Sequence, residues 1–68
     1  MTMSEKAERL KNQILFVRDT GLTNMFDAGV VQKIAHDNCL YELVIFIEEH
    51  KKEYGKFLLT GDESLLEI

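Results

Sequence analysis

The sequence predicts an all-α fold, a small three-helix unit that forms one domain over residues 1–68. Proline, the residue that most often interrupts helices and marks turn-rich β structure, is absent. Apolar residues recur at spacings of three and four in three segments, which is the period of an amphipathic helix. We therefore expect helices over about residues 4–19, 27–38 and 41–58, then a short C-terminal turn.

The first helix is predicted from an apolar stripe that begins at Ala7 and ends at Val17. Thr2 stands three residues before Glu5, the spacing of a capping box, and Ser4 is an alternative N-cap. Gly21 is expected to end the helix, because glycine enters the left-handed conformation without a steric penalty.

The second helix is expected to begin at Asp27, whose carboxylate is a good N-cap acceptor. It should end near Asp37 or Asn38, since asparagine is the commonest substitute for glycine where helices terminate. The helix is short, and it needs tertiary packing to persist.

The third segment begins with LYELVIFI, which by composition alone also fits a buried strand. The stripe from Leu40 to Leu58 is too long for a strand, and Glu48 precedes Lys52 by four residues, as in a helical ion pair. We expect one helix from about Tyr41 to Leu58. Beyond Gly61, the residues form either a short turn capped by Thr60 or a frayed tail.

The composition indicates the cellular compartment and the stability to be expected of the protein. A single cysteine forms no internal disulfide, and there is neither an apolar leader nor an apolar run long enough to span a membrane. These features predict a reduced, cytoplasmic chain. A chain of 68 residues is also marginally stable by itself, which favours a second subunit or another stabilising partner.

Charge argues against direct nucleic-acid binding. Residues 20–68 carry four lysines and nine acidic residues, a balance of 4 − 9 = −5. Such a surface repels phosphate backbones. A DNA-binding helix-turn-helix over residues 27–50 would present Tyr41, Glu42 and the Glu48–Glu49 pair to the groove, where arginine, lysine or asparagine are normally found.

Metal binding and catalysis have only weak signals. His36 and Cys39 form a single H-x-x-C pair, whereas structural zinc sites normally have two such pairs. A chain this small can hardly enclose the water-excluding pocket that a nucleophile and its base require. We expect no metal, no cofactor and no enzymatic activity.

The third segment has more apolar residues than one face of a helix can bury. Tyr41, Ile45 and Phe46 are expected to point partly away from the first two helices, which predicts a homodimer or a stable protein partner. The alternative is that the C-terminal LLEI segment covers them. Four acidic residues, Glu42, Glu48, Glu49 and Glu53, are expected to contact a basic surface of that partner.

The connector DTGLTNMFDAG, residues 19–29, has predicted structural and binding parts. Leu22 and Phe26 are expected to plug the open end of the core, with Phe26 as a hydrophobic staple. Thr23, Asn24 and Met25 remain as candidate partner contacts on a loop. Asn24 has a structural alternative, a local turn hydrogen bond.

Three stretches carry a family resemblance: RDTGLTNMFD at residues 18–27, VQKIA at 31–35 and LYELVIFIEEHKKEYGKFLLTG at 40–61. They resemble very short proteins of Firmicutes phages and prophages that are known only as a domain of unknown function. The resemblance implies a phage or prophage accessory protein of the bacterial cytoplasm, and it implies no catalytic residue.

These features together predict a non-enzymatic protein that acts by binding another protein. The most concrete hypothesis is an anti-defence inhibitor, similar to anti-CRISPR proteins, that blocks a nucleic-acid-targeting effector of the host. The alternative is a dimerising accessory factor of phage replication, packaging or regulation.

Overall fold

The computed structural model describes residues 4–67, and these residues form four α-helices and a final 3-10 helix without β-strands. The helices are α1 (Glu5–Thr20), α2 (Ala28–Asp37), α3 (Tyr41–Glu49) and α4 (Lys51–Thr60), and the 3-10 helix covers Glu63–Glu67. The all-α prediction is confirmed. None of the helices in the described part is both long and apolar enough to cross a membrane.

The ends of α1 follow the predicted signals. The Ser4 hydroxyl accepts a hydrogen bond from the Ala7 amide (3.1 Å), so Ser4 is the N-cap, while Thr2 lies outside the described residues. Gly21 adopts φ 64° and donates its N–H to the Arg18 carbonyl (3.2 Å). Glycine is favoured there because a Cβ is strained at positive φ.

Helix α2 begins as predicted and ends with a feature that the sequence did not indicate. Asp27 caps the start, where its carboxylate accepts from the Val30 amide (3.4 Å). At the end, the Leu40 amide donates to Ala35 and the Cys39 amide to His36, which is a Schellman motif. Its left-handed residue is Cys39 (φ 61°), whereas Asn38 keeps a negative φ of −104°.

The prediction of one continuous third helix is wrong, because the chain bends at His50. His50 has φ −135° and ψ 49°; its N–H donates to Phe46 at the end of α3, and its C=O accepts from Tyr54 in α4. The bend keeps Phe46 and Tyr54 in one core.

The expected Glu48–Lys52 ion pair does not form across this bend; the Glu48 carboxylate instead accepts a hydrogen bond from Gln32 (3.1 Å). Gly61 (φ 71°) ends α4 as predicted. Thr60 is not the cap of the final turn, because the carboxylate that accepts from the Ser64 amide (3.0 Å) and hydroxyl (2.6 Å) belongs to Asp62.

The core is one apolar cluster that all five elements share. Its largest fully buried side chains are Tyr54, Leu10, Ile14, Leu43, Leu66, Val17 and Val31. No charged or polar side chain of residues 4–67 is buried apart from the tyrosine. The Tyr54 hydroxyl donates to the Met25 carbonyl (2.7 Å), so it satisfies its polar atom and ties α4 to the α1–α2 connector.

The connector does not plug the core as expected. Leu22 is 73% exposed and Phe26 is 58% exposed, so neither side chain closes the open end. Met25, which was expected to face a partner, instead packs against the core. Met25 takes this position because the Tyr54 hydroxyl donates to its carbonyl. This hydrogen bond brings the Met25 backbone, and with it the side chain, against α4.

A change from Tyr54 to Phe should lower the free energy of unfolding at pH 7 by about 1 kcal/mol, because the Met25 carbonyl loses its donor. Burial raises the pKa of Tyr54 from 10.0 to about 12. An unfolded tyrosine ionises near pH 10. The contribution of the Tyr54 hydroxyl to the free energy of unfolding should therefore be complete below pH 10, and the native chain should lose it as the pH rises from 10 to 12.

Thermal unfolding at a series of pH values measures this effect, and Tyr41→Phe, at an exposed tyrosine, is the matched control. An equal loss of stability above pH 10 in Tyr54→Phe and in the native chain would contradict the assignment.

A change from Cys39 to Gly should stabilise the protein, since a left-handed residue with a Cβ costs about 1 kcal/mol and Cys39 adopts φ 61°. Chemical denaturation should show a gain of somewhat less than that, because glycine also raises the entropy of the unfolded chain. Asn38→Gly is the control and should destabilise, since Asn38 has negative φ and donates its side-chain amide to Ile34 (2.8 Å). If Asn38→Gly stabilised the protein and Cys39→Gly destabilised it, Cys39 could not be the left-handed residue that ends α2.

Candidate functional site

The outward face of α3 is the main candidate for a binding surface. Because Leu43, Phe46 and Ile47 are buried on one side, the helical period turns the opposite side to solvent. There Tyr41 is 52% exposed and Ile45 is 55% exposed. Around these two lie three carboxylates; we call the five residues Tyr41, Glu42, Ile45, Glu48 and Glu49 the α3 surface.

One predicted contact residue lies on the wrong side of the helix. Phe46 is only 5% exposed and belongs to the core, so the expectation that it points outward is wrong. The bend at His50 explains the difference, because it lets α3 turn Phe46 and Ile47 inward while α4 turns in Tyr54 and Phe57. Only the edge of Phe46 reaches the surface, where it lines a cleft.

Glu42 is held in place by α1. The Arg9 side chain donates to the Glu42 carboxylate (Nε–Oε1 2.7 Å), and this hydrogen bond with its charge attraction raises the pKa of the Arg9 guanidinium. The second carboxylate oxygen, Oε2, is buried and has no hydrogen-bond partner among residues 4–67. Since both side chains are partly exposed, the pair positions Glu42 more than it stabilises the fold.

The start of α3 is fixed by a second residue of α1. No side chain of the preceding loop caps α3, but the Leu43 amide donates to the side-chain carbonyl of Gln13 (3.0 Å). A helix leaves its first amides without partners inside the helix, and Gln13 satisfies one of them. Together Gln13 and Arg9, one turn apart on α1, set the position of α3.

A cleft of about 140 Å³ opens between this edge of α3 and α1. Ile45 and Phe46 form its apolar part, and its polar rim consists of Lys6, Glu42, Glu49 and His50. The Phe46 and His50 rings lie 5.8 Å apart. Such a cleft suits a long cationic side chain, whose aliphatic stem contacts apolar groups while its charge meets carboxylates.

The other predicted acids take different positions. Glu53 lies beside His50 (Nδ1–Oε1 3.6 Å), at the start of α4. Glu48 is turned toward α2, where Gln32 donates both to its carboxylate (3.1 Å) and to the Val44 carbonyl (2.9 Å). The structure thus groups Glu42 and Glu49 in one cleft and places Glu48 and Glu53 outside it.

Tyr41 has neighbours at the α2–α3 junction. Its hydroxyl donates to the Cys39 sulfur (3.5 Å), and this contact raises the pKa of Tyr41. Its ring meets the His36 ring edge to face at 5.7 Å. Within residues 4–67, no three His, Cys, Asp or Glu side chains are grouped as metal ligands would be.

The loop residues belong to a different region from the α3 surface. Asn24 accepts from the Phe26 amide through its side chain (2.9 Å) and from the Asp27 amide through its backbone (2.9 Å), which is the local turn that the sequence left open. The Thr23 hydroxyl donates to the Asn24 carbonyl (3.4 Å). Met25 lines a second groove, between α1 and α4.

Four residues of the candidate site were not predicted from the sequence. Lys6 and Arg9 on α1, Gln32 on α2 and His50 at the bend all act on α3 from other elements. The only available indication was the helical period of α1, which places Arg9 and Gln13 on one side of that helix.

The comparisons with known proteins give a family but no characterised relative. No curated protein and no solved structure matches the chain. The family described as "Domain of unknown function (DUF5049)" matches residues 6–62, which extend from the first turn of α1 to the second residue after the end of α4. Because this match covers most of the 68 residues, the chain belongs to that family of uncharacterised domains.

Proposed function

We propose that the protein acts without catalysis, by binding a protein partner through the α3 surface. The observation that carries this proposal is the exposure of Tyr41 and Ile45, more than half of each, inside a frame of carboxylates. Exposed apolar groups surrounded by polar ones are typical of protein interfaces. The cleft beside Ile45 offers a place for one anchoring side chain.

The charge of the surface selects a basic partner over a second copy of the chain. Glu42, Glu48 and Glu49 lie on one nine-residue helix without a lysine or arginine, and these three carboxylates outnumber Lys6 and Arg9, the two cations that α1 places beside them. Pairing two such helices brings like charges together, which disfavours association, whereas a basic surface gains both affinity and a faster encounter.

The partner class that fits best is a nucleic-acid-handling protein. Such proteins carry basic grooves that hold phosphate backbones, and an acidic face with an apolar centre can occupy the same groove. The most concrete form of the proposal is an anti-defence inhibitor of a host effector, similar to anti-CRISPR proteins, produced in the bacterial cytoplasm by a phage or prophage. The resemblance to Firmicutes phage proteins and the acidic C-terminal part of the sequence support it.

A second candidate is a dimerising accessory factor of phage replication, packaging or regulation. Its support is the apolar surface away from α3, where Leu22 and Leu59 are among the most exposed large side chains. Light scattering over a wide concentration range tests it, and a strict monomer would exclude the dimer.

A change from Ile45 to Glu should weaken partner binding by about ten- to a hundredfold, the loss expected when one large aliphatic contact is removed. Because Ile45 is exposed, the melting temperature should stay nearly constant. Leu59→Glu, an equal change at an exposed residue of α4, is the matched control and should bind as the native chain does.

The measurement is quantitative capture from host cells, infected and uninfected, followed by the dissociation constant of the captured protein at several salt concentrations. The expected partner is basic, binds more weakly at high salt and is lost with Ile45→Glu alone. Capture that Ile45→Glu does not change would contradict the α3 surface, and recovery of phage proteins only would favour the second candidate.

A further inference from the structure

The C-terminal 3-10 helix, Glu63–Glu67, is a strap that lies in a groove between α1 and α4. Leu66 is completely buried there, and Leu65 packs against the same core. The strap runs antiparallel to α1, because Glu63 pairs with Lys11 while Glu67 accepts from the Ser4 amide (3.0 Å). It therefore covers the half of the groove near the start of α1.

The other half of the groove is open. A depression of about 230 Å³ lies beyond the start of the strap, bordered by Gly61 on that side and Met25 on the other. Its apolar lining includes Ile14 and Leu15 of α1 together with Phe57 and Leu58 of α4. We call it the open groove.

The two halves share the same chemistry. Arg18, at the rim of the open groove, follows Lys11 by seven residues, so the two cations lie on the same side of α1, two turns apart. Lys11 is paired with the strap, whereas the Arg18 side chain is 61% exposed and, within residues 4–67, contacts one carboxylate, that of its neighbour Asp19 (3.4 Å). The open groove thus has the same arrangement as the half that holds the strap, an apolar floor with a cation at its rim.

We propose that the open groove binds a short acidic, leucine-containing segment of a protein partner, in the way that the other half binds the strap. The strap defines the chemistry of this ligand: a carboxylate for the cation and, three residues later, a large aliphatic side chain for the floor, as in Glu63 and Leu66. Arg18 selects the carboxylate, and Leu15 and Phe57 contact the aliphatic group.

This site is separate from the α3 surface and opposite to it in charge. The α3 surface presents carboxylates to a basic partner, while the open groove presents a cation to an acidic segment. Its residues, from Ile14 to Gly61, also lie inside the part of the chain that matches the family, whereas the strap begins just beyond that part. The proposal does not depend on the function assigned to α3.

The test is a titration of the full-length, isotope-labelled protein with the blocked peptide ESLLE, followed by amide chemical shifts. Saturable shifts are expected at Leu15, Arg18, Leu58 and Gly61. The peptides ESAAE and KSLLK are the controls for the aliphatic group and the carboxylate, and both should bind at least about fivefold more weakly.

A variant pair completes the test. Arg18→Glu should weaken ESLLE binding by about fivefold, the scale of an exposed charge pair, and Arg18→Gln should have a smaller effect in the same direction. Lys33→Glu, an equal change at an exposed lysine of α2, should have none. Shifts confined to Ser4, Lys11 and Leu66 would mean that the peptide only displaces the strap, and this result would overturn the proposal. The proposal would also be overturned if binding did not saturate at millimolar peptide, or if KSLLK bound as tightly as ESLLE.

Discussion

The contact between Tyr54 and the Met25 carbonyl is the interaction on which the arrangement of the helices depends. Tyr54 is the largest fully buried side chain, and its hydroxyl has one acceptor, on a loop that joins two other helices. An unpaired buried hydroxyl is costly, so α4 can pack into the core only where this hydroxyl reaches that carbonyl. The bend at His50 makes this possible, since it separates the direction of α4 from that of α3.

The same bend determines which side chains remain for function. With α4 turned into the core, Phe46 is buried and the outward side of α3 is reduced to Tyr41 and Ile45 with their carboxylates. Elsewhere on the molecule, α4 and α1 enclose a groove that the strap fills only in part. One small core therefore carries two candidate surfaces, the acidic face of α3 and a groove with Arg18 at its rim.

Local signals made most of the fold predictable. The capping side chains of Ser4 and Asp27 and the left-handed Gly21 and Gly61 act within a turn of their own positions, so the sequence shows where those helices begin and end. The bend at His50 has no such signal, because no proline or glycine stands there and the apolar stripe continues across it. It results from tertiary packing, which outweighs the helical preference of the segment.

The candidate site was predictable to a similar degree. The exposure of Tyr41 and Ile45 follows from the period of α3, but the position of Glu42 depends on Arg9, which lies 33 residues earlier in the chain. The open groove also lay outside sequence reasoning, because its residues come from α1, the connector and α4. Contacts between residues so far apart leave no spacing pattern in a single sequence.

The most direct test of this account is the solution structure around His50 by NMR. We expect helical connectivities on both sides of His50 but not through it, together with contacts between the Tyr54 ring and Met25 and slow exchange of the Tyr54 hydroxyl. A continuous helix from Tyr41 to Leu58, with the Tyr54 ring away from Met25, would contradict the account, because Phe46 and the outward face of α3 would then be placed differently.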